Sequence, residues 1–357
     1  MAGMYEYNHA GAKIKAMKAG LLQQEDYERL IRMPSVQEAA LYLKSSTCYR
    51  EALKDLREDN IHRGHLEILL YRSMAGDADK ISHYVSGYEK ELFYHIYTDR
   101  EIEDIKRMLR FLRLGRPLTE MDTETLFRDQ RSQVDFEKCL AAKTEAELIE
   151  GLKATIYYPP LKALLSEKGT LPIFDAEMTL DYYGDLEIIR RIQNFKMQAA
   201  EGLAMKMFGS RFDYRNILYV YRGRRYYNLP KEILYRYLVP LYYRISKQEI
   251  QDMIEAATLE DAVRIADQSF YGRIFDLRRK GRGLAFQRFM RKEWLHLMNE
   301  HPFGLASILG YLLLKEIEIR DITVIIEGIR YSVISSMDLT KEIAFPLSGK
   351  EGESSGH

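Results

Sequence analysis

The chain repeats one helical pattern three times, and this repetition constrains its fold more than any other feature of the sequence. Each copy contains a hydroxyl residue followed three positions later by an acid: Ser35 and Glu38, Thr144 and Glu147, and Thr258 and Asp261. In such a Ser/Thr-x-x-Glu/Asp capping box, the hydroxyl oxygen accepts a hydrogen bond from a backbone amide that has no partner within the helix. The acid accepts a hydrogen bond from the backbone amide of the capping residue. Each copy therefore predicts the start of a helix.

The residues around each capping box repeat as well. An i, i+3, i+4 series of apolar residues begins eight positions before each hydroxyl, as in Tyr27, Leu30 and Ile31 of the first copy. After the box, each copy ends in an aromatic residue: Tyr49, Tyr158 and Tyr271. The pattern predicts a helical hairpin in which a short helix ends, a capped helix follows, and an aromatic side chain closes the pair. One capping box is a weak signal, but three in the same context are a strong one.

A second motif also occurs three times and aligns without gaps. It contains an acid, an Asp or Asn three residues later, and an arginine near its end: Glu101, Asp104 and Arg113; Asp213, Asn216 and Arg225; and Glu318, Asp321 and Arg330. Apolar residues between them follow a helix face, so the motif predicts a long helix. We expect the acid and the Asp or Asn after it to mark the first turn and the arginine the last turn, where the charges suit the helix dipole.

The order of the two motifs predicts an all-α fold of three similar helical domains. The long helix precedes the hairpin in the second and third copies, whereas the first hairpin lacks that helix and the last long helix lacks a hairpin. We therefore predict that the chain ends share one domain, residues 1–95 plus 318–357, followed by domains at 96–205 and 206–317. The N-terminal helix is an alternative partner for the first hairpin, and the sequence leaves open which chain end completes that domain.

Composition narrows the class of protein. The 357 residues contain 53 Lys plus Arg and 53 Asp plus Glu, and this neutral balance disfavours a general binder of nucleic acid. Two cysteines suit a reducing compartment. The longest apolar run, 302–314, is shorter than the ~20 residues that a membrane span needs. We expect a cytoplasmic protein.

No sequence motif indicates catalysis. The chain contains no Gly-x-x-x-x-Gly-Lys-Ser/Thr loop, no Gly-x-Gly-x-x-Gly after a predicted strand and no His-Glu-x-x-His. We therefore expect no catalytic residues, no cofactor and no metal site. An enzyme whose site residues are scattered along the chain stays possible at this point.

Two basic stretches are candidate contacts for a partner. Their members are Arg222, Arg224, Arg225, Tyr226 and Tyr227, and Arg278, Arg279, Lys280 and Arg282. Each stretch fits a solvated helix face, a docking surface for an acidic partner, or a site for single-stranded nucleic acid in which the bases stack on aromatic rings. A helical scaffold is a further alternative for the whole chain.

The segments YNHAGAKIKAMKAGLLQQEDYERLI and ILGYLLLKEIEIRDITVIIEGIRY resemble the C-subunit (AC39-like) family of V-type and A-type rotary ATPases, which includes the eukaryotic d subunit. The similarity runs from about Tyr5 to Arg330 and is most specific at 315–322, although the family commonly has Asn where Asp321 stands. We assign the segment from Lys315 to Asp321 to the fold rather than to partner contact.

The resemblance implies a funnel or socket of three helical domains around a pseudo-threefold axis. It also implies a non-catalytic rotor subunit of the central stalk, which links the D and F subunits of the shaft to the membrane proteolipid ring. Such a subunit transmits torque for proton or sodium transport, lies on the membrane sector without spanning it, and needs neither a cofactor nor nucleic acid.

Overall fold

The computed structural model describes residues 2–56, 61, 63–85, 88–169, 171–195, 198–331 and 336–347. Every regular element within these ranges is helical, which confirms the predicted all-α class. The α-helices are α1 Ala2–Ala19, α2 Gln24–Ile31, α3 Val36–Ser46, α4 Arg63–Ser82, α5 Tyr88–Glu91, α6 His95–Arg113, α7 Phe136–Leu140, α8 Glu145–Gly151, α9 Tyr158–Lys168, α10 Ile173–Gln193, α11 Gln198–Tyr226, α12 Lys231–Arg236, α13 Lys247–Glu255, α14 Leu259–Gln268, α15 Arg282–Glu300, α16 Leu305–Tyr331 and α17 Ser336–Glu342.

The chain divides into two compact units. The first, which we call the terminal unit, contains both chain ends, Met1–Val85 and Arg278–His357; the second, the central unit, is Ser86–Leu277. In the terminal unit α16 packs against α4 and α15, and in the central unit α6 packs against α10 while α11 packs against α13 and α14. The finer three-domain boundaries stay a prediction.

The three capping hydroxyls each lie directly before a helix. Helices α3, α8 and α14 follow Ser35, Thr144 and Thr258, whose side-chain oxygens accept hydrogen bonds from the amides three residues later at 3.2, 3.2 and 3.1 Å. The acids of two boxes have further donors. Glu147 accepts from the Lys143 amide at 2.8 Å, and Asp261 accepts from the Thr258 hydroxyl at 2.7 Å as well as from the Thr258 backbone, as a capping box predicts.

Removing a capping hydroxyl is expected to destabilise the protein moderately. We expect Ser35→Ala, Thr144→Ala and Thr258→Ala each to lower the free energy of unfolding by about 0.5–2 kcal/mol, because each leaves one orphan helix amide without its acceptor. Denaturant unfolding measures this loss, and Thr144→Ser and Thr258→Ser are controls that keep the hydroxyl. Alanine variants as stable as the wild type would contradict the capping role.

The long motif lies within the three long helices α6, α11 and α16, but its acid is not in the first turn. The arginines Arg113, Arg225 and Arg330 do occupy the last turn of their helices, as expected. The acids instead lie well inside the helices, where they are buried. The expectation for the acids was wrong because these side chains serve contacts with distant parts of the chain rather than the helix dipole.

Two glycines allow the chain after a long helix to fold back onto it. A Cβ atom at Gly223 of α11 would lie 2.5 Å from Leu234 of α12, and one at Gly328 of α16 would lie 2.3 Å from Leu339 of α17. Both distances are below van der Waals contact. The two glycines therefore permit the same close approach at the same point of the two long helices.

Candidate functional site: buried acids and an exposed Arg-Tyr surface

Each long helix presents one buried carboxylate to the tyrosine that closes a hairpin. The three hydroxyl-to-carboxylate hydrogen bonds are Tyr157 to Glu101 at 2.6 Å, Tyr271 to Asp213 at 2.7 Å and Tyr49 to Glu318 at 2.7 Å. All six side chains are buried. Because buried polar groups need partners, this pairing makes each hairpin dependent on its long helix.

The same carboxylates also hold the backbone just before each hairpin. Glu101 accepts from the Gln133 amide, Asp213 from the Arg244 amide and Glu318 from the Leu22 amide, each at 2.6 Å. One side chain therefore binds both the entry and the end of its hairpin. A carboxylate suits this position because its two oxygens accept several hydrogen bonds at once.

The structure corrects the closing residue of the second hairpin. Tyr157, not the predicted Tyr158, is the buried partner of the long-helix acid, whereas the Tyr158 hydroxyl donates to Glu150 near the surface. Tyr157 lies thirteen residues after Thr144, the same distance that separates Tyr271 from Thr258. That equal spacing was the signal in the sequence that could have identified it.

The second polar residue of the motif holds the chain that follows each long helix. Asp104 accepts from the Phe127 amide at 2.8 Å, Asn216 from the Val239 amide at 2.8 Å, and Asp321 from the Ala344 amide at 2.7 Å. The amide lies 23 residues after its acceptor in all three cases. The equal separation shows that the segments after the three long helices return to their helix at the same distance along the chain.

Contacts around α16 join the two ends of the chain. Glu318 binds Leu22 and Tyr49, which are 296 and 269 residues away, and the ring of Tyr27 stacks on Phe345 with centroids 4.4 Å apart. The first hairpin therefore receives its carboxylate from the last long helix.

Burial raises the pKa of several of these carboxyl groups. Burial raises the pKa of Glu318 to about 7 although Lys315 opposes the shift, and it raises the pKa of Asp104 and Asp321 to about 6. Burial also raises the pKa of Glu101 and Asp213, against the effect of their hydrogen bonds. All five groups therefore ionise at a higher pH than the same carboxyls do when exposed.

The terminal unit has a buried ion pair beside this arrangement. The Lys315 ammonium lies 2.8 Å from a carboxylate oxygen of Asp77, which also accepts from the Tyr311 hydroxyl at 2.7 Å. The matching positions on α6 and α11, three residues before the acid, are the buried hydroxyls Thr98 and Ser210. Lys315 is thus part of the fold's interior.

Ion pairs also tie the long helices of the central unit together. Arg211 of α11 lies 2.7 Å from Asp99 of α6, and Arg215 of α11 lies 2.6 Å from Asp185 of α10. Side chains in charge-assisted hydrogen bonds at these distances fix the relative positions of the three helices.

Replacing a closing tyrosine by phenylalanine tests the carboxylate arrangement. We expect Tyr157→Phe to lower the free energy of unfolding by about 1–3 kcal/mol, because the buried Glu101 loses a donor. Tyr158→Phe is the matched control on the adjacent residue, and we expect it to cost less than about 0.5 kcal/mol because its hydroxyl contacts an exposed glutamate. Equal losses in denaturant unfolding would contradict the assignment.

The first basic stretch is largely exposed, with one exception. Arg222 and Arg225 are exposed, as are Tyr226 and Tyr227 at 60% and 55%. Arg224 instead stabilises the fold. Its guanidinium donates hydrogen bonds to the carbonyls at the end of α13: Met253, Ile254 and Ala256. Four of the five predicted contact residues here are thus available at the surface.

The second basic stretch belongs to the terminal unit. Arg278, Arg279 and Lys280 are exposed before α15, and Arg282 is partly buried and donates to the Arg279 carbonyl at 3.2 Å. Farther along α15, Arg288 donates to the carbonyls of Lys341 and Ile343. Part of this basic sequence therefore stabilises the fold.

Two further observations concern the described part of the chain only. Within it, no three His, Cys, Asp or Glu side chains are grouped as ligands for a metal ion. Nor does any described helix combine the length and the apolar character that crossing a bilayer requires.

These features define a helical protein whose buried acids bind its own backbone and hairpins and whose central unit exposes arginines and tyrosines at the end of α11. The profile of the family described as ATP synthase (C/AC39) subunit matches residues 10–337, and the chain belongs to that family.

Three relatives show how far the similarity extends. The chain is 24% identical to the C subunit of the A-type ATP synthase of Pyrococcus abyssi over 89% of this chain and 85% of that protein. It is 22% identical to the corresponding protein of Methanosphaera stadtmanae, over 94% and 87%, and to that of Archaeoglobus fulgidus, over 91% and 92%. The similarity thus covers nearly the whole length of each protein.

Proposed function

We propose that this protein is a non-catalytic subunit of the central stalk of a V-type or A-type rotary ATPase. In this role it links the D and F subunits of the shaft to the proteolipid ring and transmits torque during proton or sodium transport, on the cytoplasmic side of the membrane. Membership of the ATP synthase (C/AC39) subunit family supports the proposal, as do relatives that are named as C subunits of A-type ATP synthases.

The observation that carries the mechanical part of the proposal is the recurrence of the buried carboxylate arrangement on α6, α11 and α16. A protein that transmits torque must resist deformation between its contact surfaces. Each carboxylate couples a long helix to both ends of a hairpin through buried hydrogen bonds, which are costly to leave unmade. Ion pairs such as Arg211 with Asp99 add further links between long helices.

We further propose that the three copies form three domains, 1–95 with 318–357, 96–205 and 206–317, arranged as a socket with pseudo-threefold symmetry. The matching hydrogen bonds and the 23-residue separations support a common module. Superposition of the three segments from an experimental structure tests this, and segments that fail to overlay would contradict it.

Capture experiments test the function. We expect the tagged full-length chain to retain the shaft pair, the D and F subunits, and the detergent-solubilised proteolipid ring, and we expect a complex without it to hydrolyse ATP without pumping ions. Capture of neither partner would overturn the proposal. A salt-dependent shift of a single-stranded oligonucleotide would favour a nucleic-acid-binding protein instead, and a helical scaffold would show no preference for the shaft pair.

A further inference from the structure

We propose that the exposed surface formed by the end of α11 and by α12 binds an acidic segment of a partner protein. This α11–α12 surface consists of Arg222, Arg225, Tyr226, Tyr227, Tyr235 and Arg236, all in the central unit and all exposed. The inference rests on the proposed function, in which the protein acts only while docked to other subunits, and it adds where and by what chemistry one partner docks.

The positive charge of the α11–α12 surface favours an acidic partner. Within the described residues, Arg222, Arg225 and Arg236 form no ion pair, although carboxylates neutralise many other cations of the central unit. Nearby Lys231 is paired with Glu255, which also accepts a hydrogen bond from the Tyr235 hydroxyl at 3.0 Å, and Glu232 is exposed on α12. The surface therefore keeps an excess of positive charge that an acidic segment would neutralise.

The aromatic side chains of the surface are held in place before any partner binds. Asn228 adopts a left-handed backbone with φ of 44°, and the Leu229 amide donates to the Gly223 carbonyl at 2.9 Å, so the turn after α11 is fixed. The ring of Tyr227 packs on Phe174 with centroids 4.5 Å apart. Exposed, rigid tyrosines beside arginines are typical of the residues that dominate binding energy, because little conformational freedom is lost on binding.

The other two long helices also expose a side chain at the position that corresponds to Tyr226. The residue that follows the last-turn arginine is exposed in all three: Leu114 at 73%, Tyr226 at 60% and Tyr331 at 60%. The Arg225 guanidinium lies 5.6 Å from the Tyr226 ring, and Arg330 lies 5.7 Å from the Tyr331 ring. An exposed side chain therefore recurs at one position of the repeated motif, and in the two later copies it is a tyrosine beside an arginine.

A short acidic protein segment suits this surface better than an extended polyanion. The whole chain has no net charge, so a long nucleic acid or an anionic bilayer that reached the surface would also meet the carboxylates around it. A short segment would meet the arginines and tyrosines of the surface and few of the carboxylates beyond it.

Binding of a short fluorescent polyglutamate peptide to the full-length chain tests the proposal. We expect the triple variant Arg222→Glu, Arg225→Glu, Arg236→Glu to weaken binding at least about tenfold at low salt. The matched control changes three exposed lysines of the same unit, Lys143→Glu, Lys153→Glu and Lys206→Glu, and we expect a change below about twofold. Unfolding midpoints check that both variants stay folded.

A second variant separates the aromatic contribution from charge. Tyr226→Ala is expected to weaken binding of the peptide by several-fold while leaving its salt dependence unchanged, because no charge is removed. Equal loss of binding in both triple variants would show an effect of net charge only and overturn the proposal. Tighter, surface-dependent binding of an oligonucleotide or of phosphatidylglycerol vesicles would overturn it as well.

The capture of the D and F subunits and of the ring is measured on the same variants. If the wild type captures both partners and the arginine variant still binds polyglutamate normally, the docking surface is wrong and the function stands. If the wild type binds polyglutamate through the surface but captures neither partner, the proposed function fails and the acidic-segment site stands.

Discussion

Lys315→Ala is expected to lower the free energy of unfolding by about 3–5 kcal/mol, because it leaves the buried carboxylate of Asp77 without its principal counter-charge. Burial raises the pKa of Asp77, but the Lys315 ammonium 2.8 Å away, with the hydrogen bonds from Tyr311 and Lys80, outweighs that effect and holds the pKa below its usual range. The carboxylate is therefore charged in the folded protein at neutral pH and cannot lose its partner without a large cost. Denaturant unfolding at neutral pH measures the change.

A second lysine on the same carboxylate is the matched control. Lys80 lies 3.0 Å from the other oxygen of Asp77 but is largely exposed. We expect Lys80→Ala to cost less than about 1 kcal/mol, since exposed ion pairs contribute little. The double variant Lys315→Met with Asp77→Asn should recover most of the loss, because it removes both charges and keeps an acceptor for the Tyr311 hydroxyl. Equal losses for the two single lysine variants would contradict a special role for the buried pair.

The stability of the protein is expected to fall as the pH rises from about 4 to 7. Burial raises the pKa of Glu318 from 4.5 to about 7, and that of Asp104 and Asp321 from 3.8 to about 6. Between the unfolded and folded pKa values the folded protein binds a proton that the unfolded chain has released, so rising pH favours unfolding. Each group contributes about 3 kcal/mol that is present at low pH and lost as the pH passes its folded pKa.

Amide variants of these acids identify the responsible groups. Asp321→Asn should flatten the pH profile below about pH 6, and the fold already accommodates an amide at the matching position. There Asn216 accepts from the Val239 amide at 2.8 Å and donates to the Val239 carbonyl at 3.0 Å. Glu318→Gln should flatten the profile between about pH 5 and 7. Unfolding measured across this range would refute the prediction if stability were constant or rose with pH in the wild type.

Much of the helical structure could be predicted from local sequence. Capping hydroxyls such as Thr144 and apolar residues at helical spacing depend on neighbours within one or two turns, so their pattern is visible in a few residues. The last-turn position of arginines such as Arg225 follows from the same local rules.

The buried positions of the acids in the long motif could not be predicted from neighbouring residues in the sequence. Glu318 looks like a residue of a first helical turn, yet it lies inside α16 and binds Tyr49 and the Leu22 amide from the other end of the chain. An acid at a helix start and an acid buried in a helix interior can have the same neighbours in sequence. Only their partners differ, and those of Glu318 are 296 and 269 residues away.

The sequence by itself determined the all-α class, the starts of the capped helices and the repetition of one hairpin and one long helix, because each of these depends on short-range spacing. The tertiary structure decided which tyrosine closes each hairpin, which acid holds it, and that Asp77 and Lys315 meet in the interior of the terminal unit. Those pairings depend on how helices pack, and burial then sets the ionisation of the groups that packing encloses.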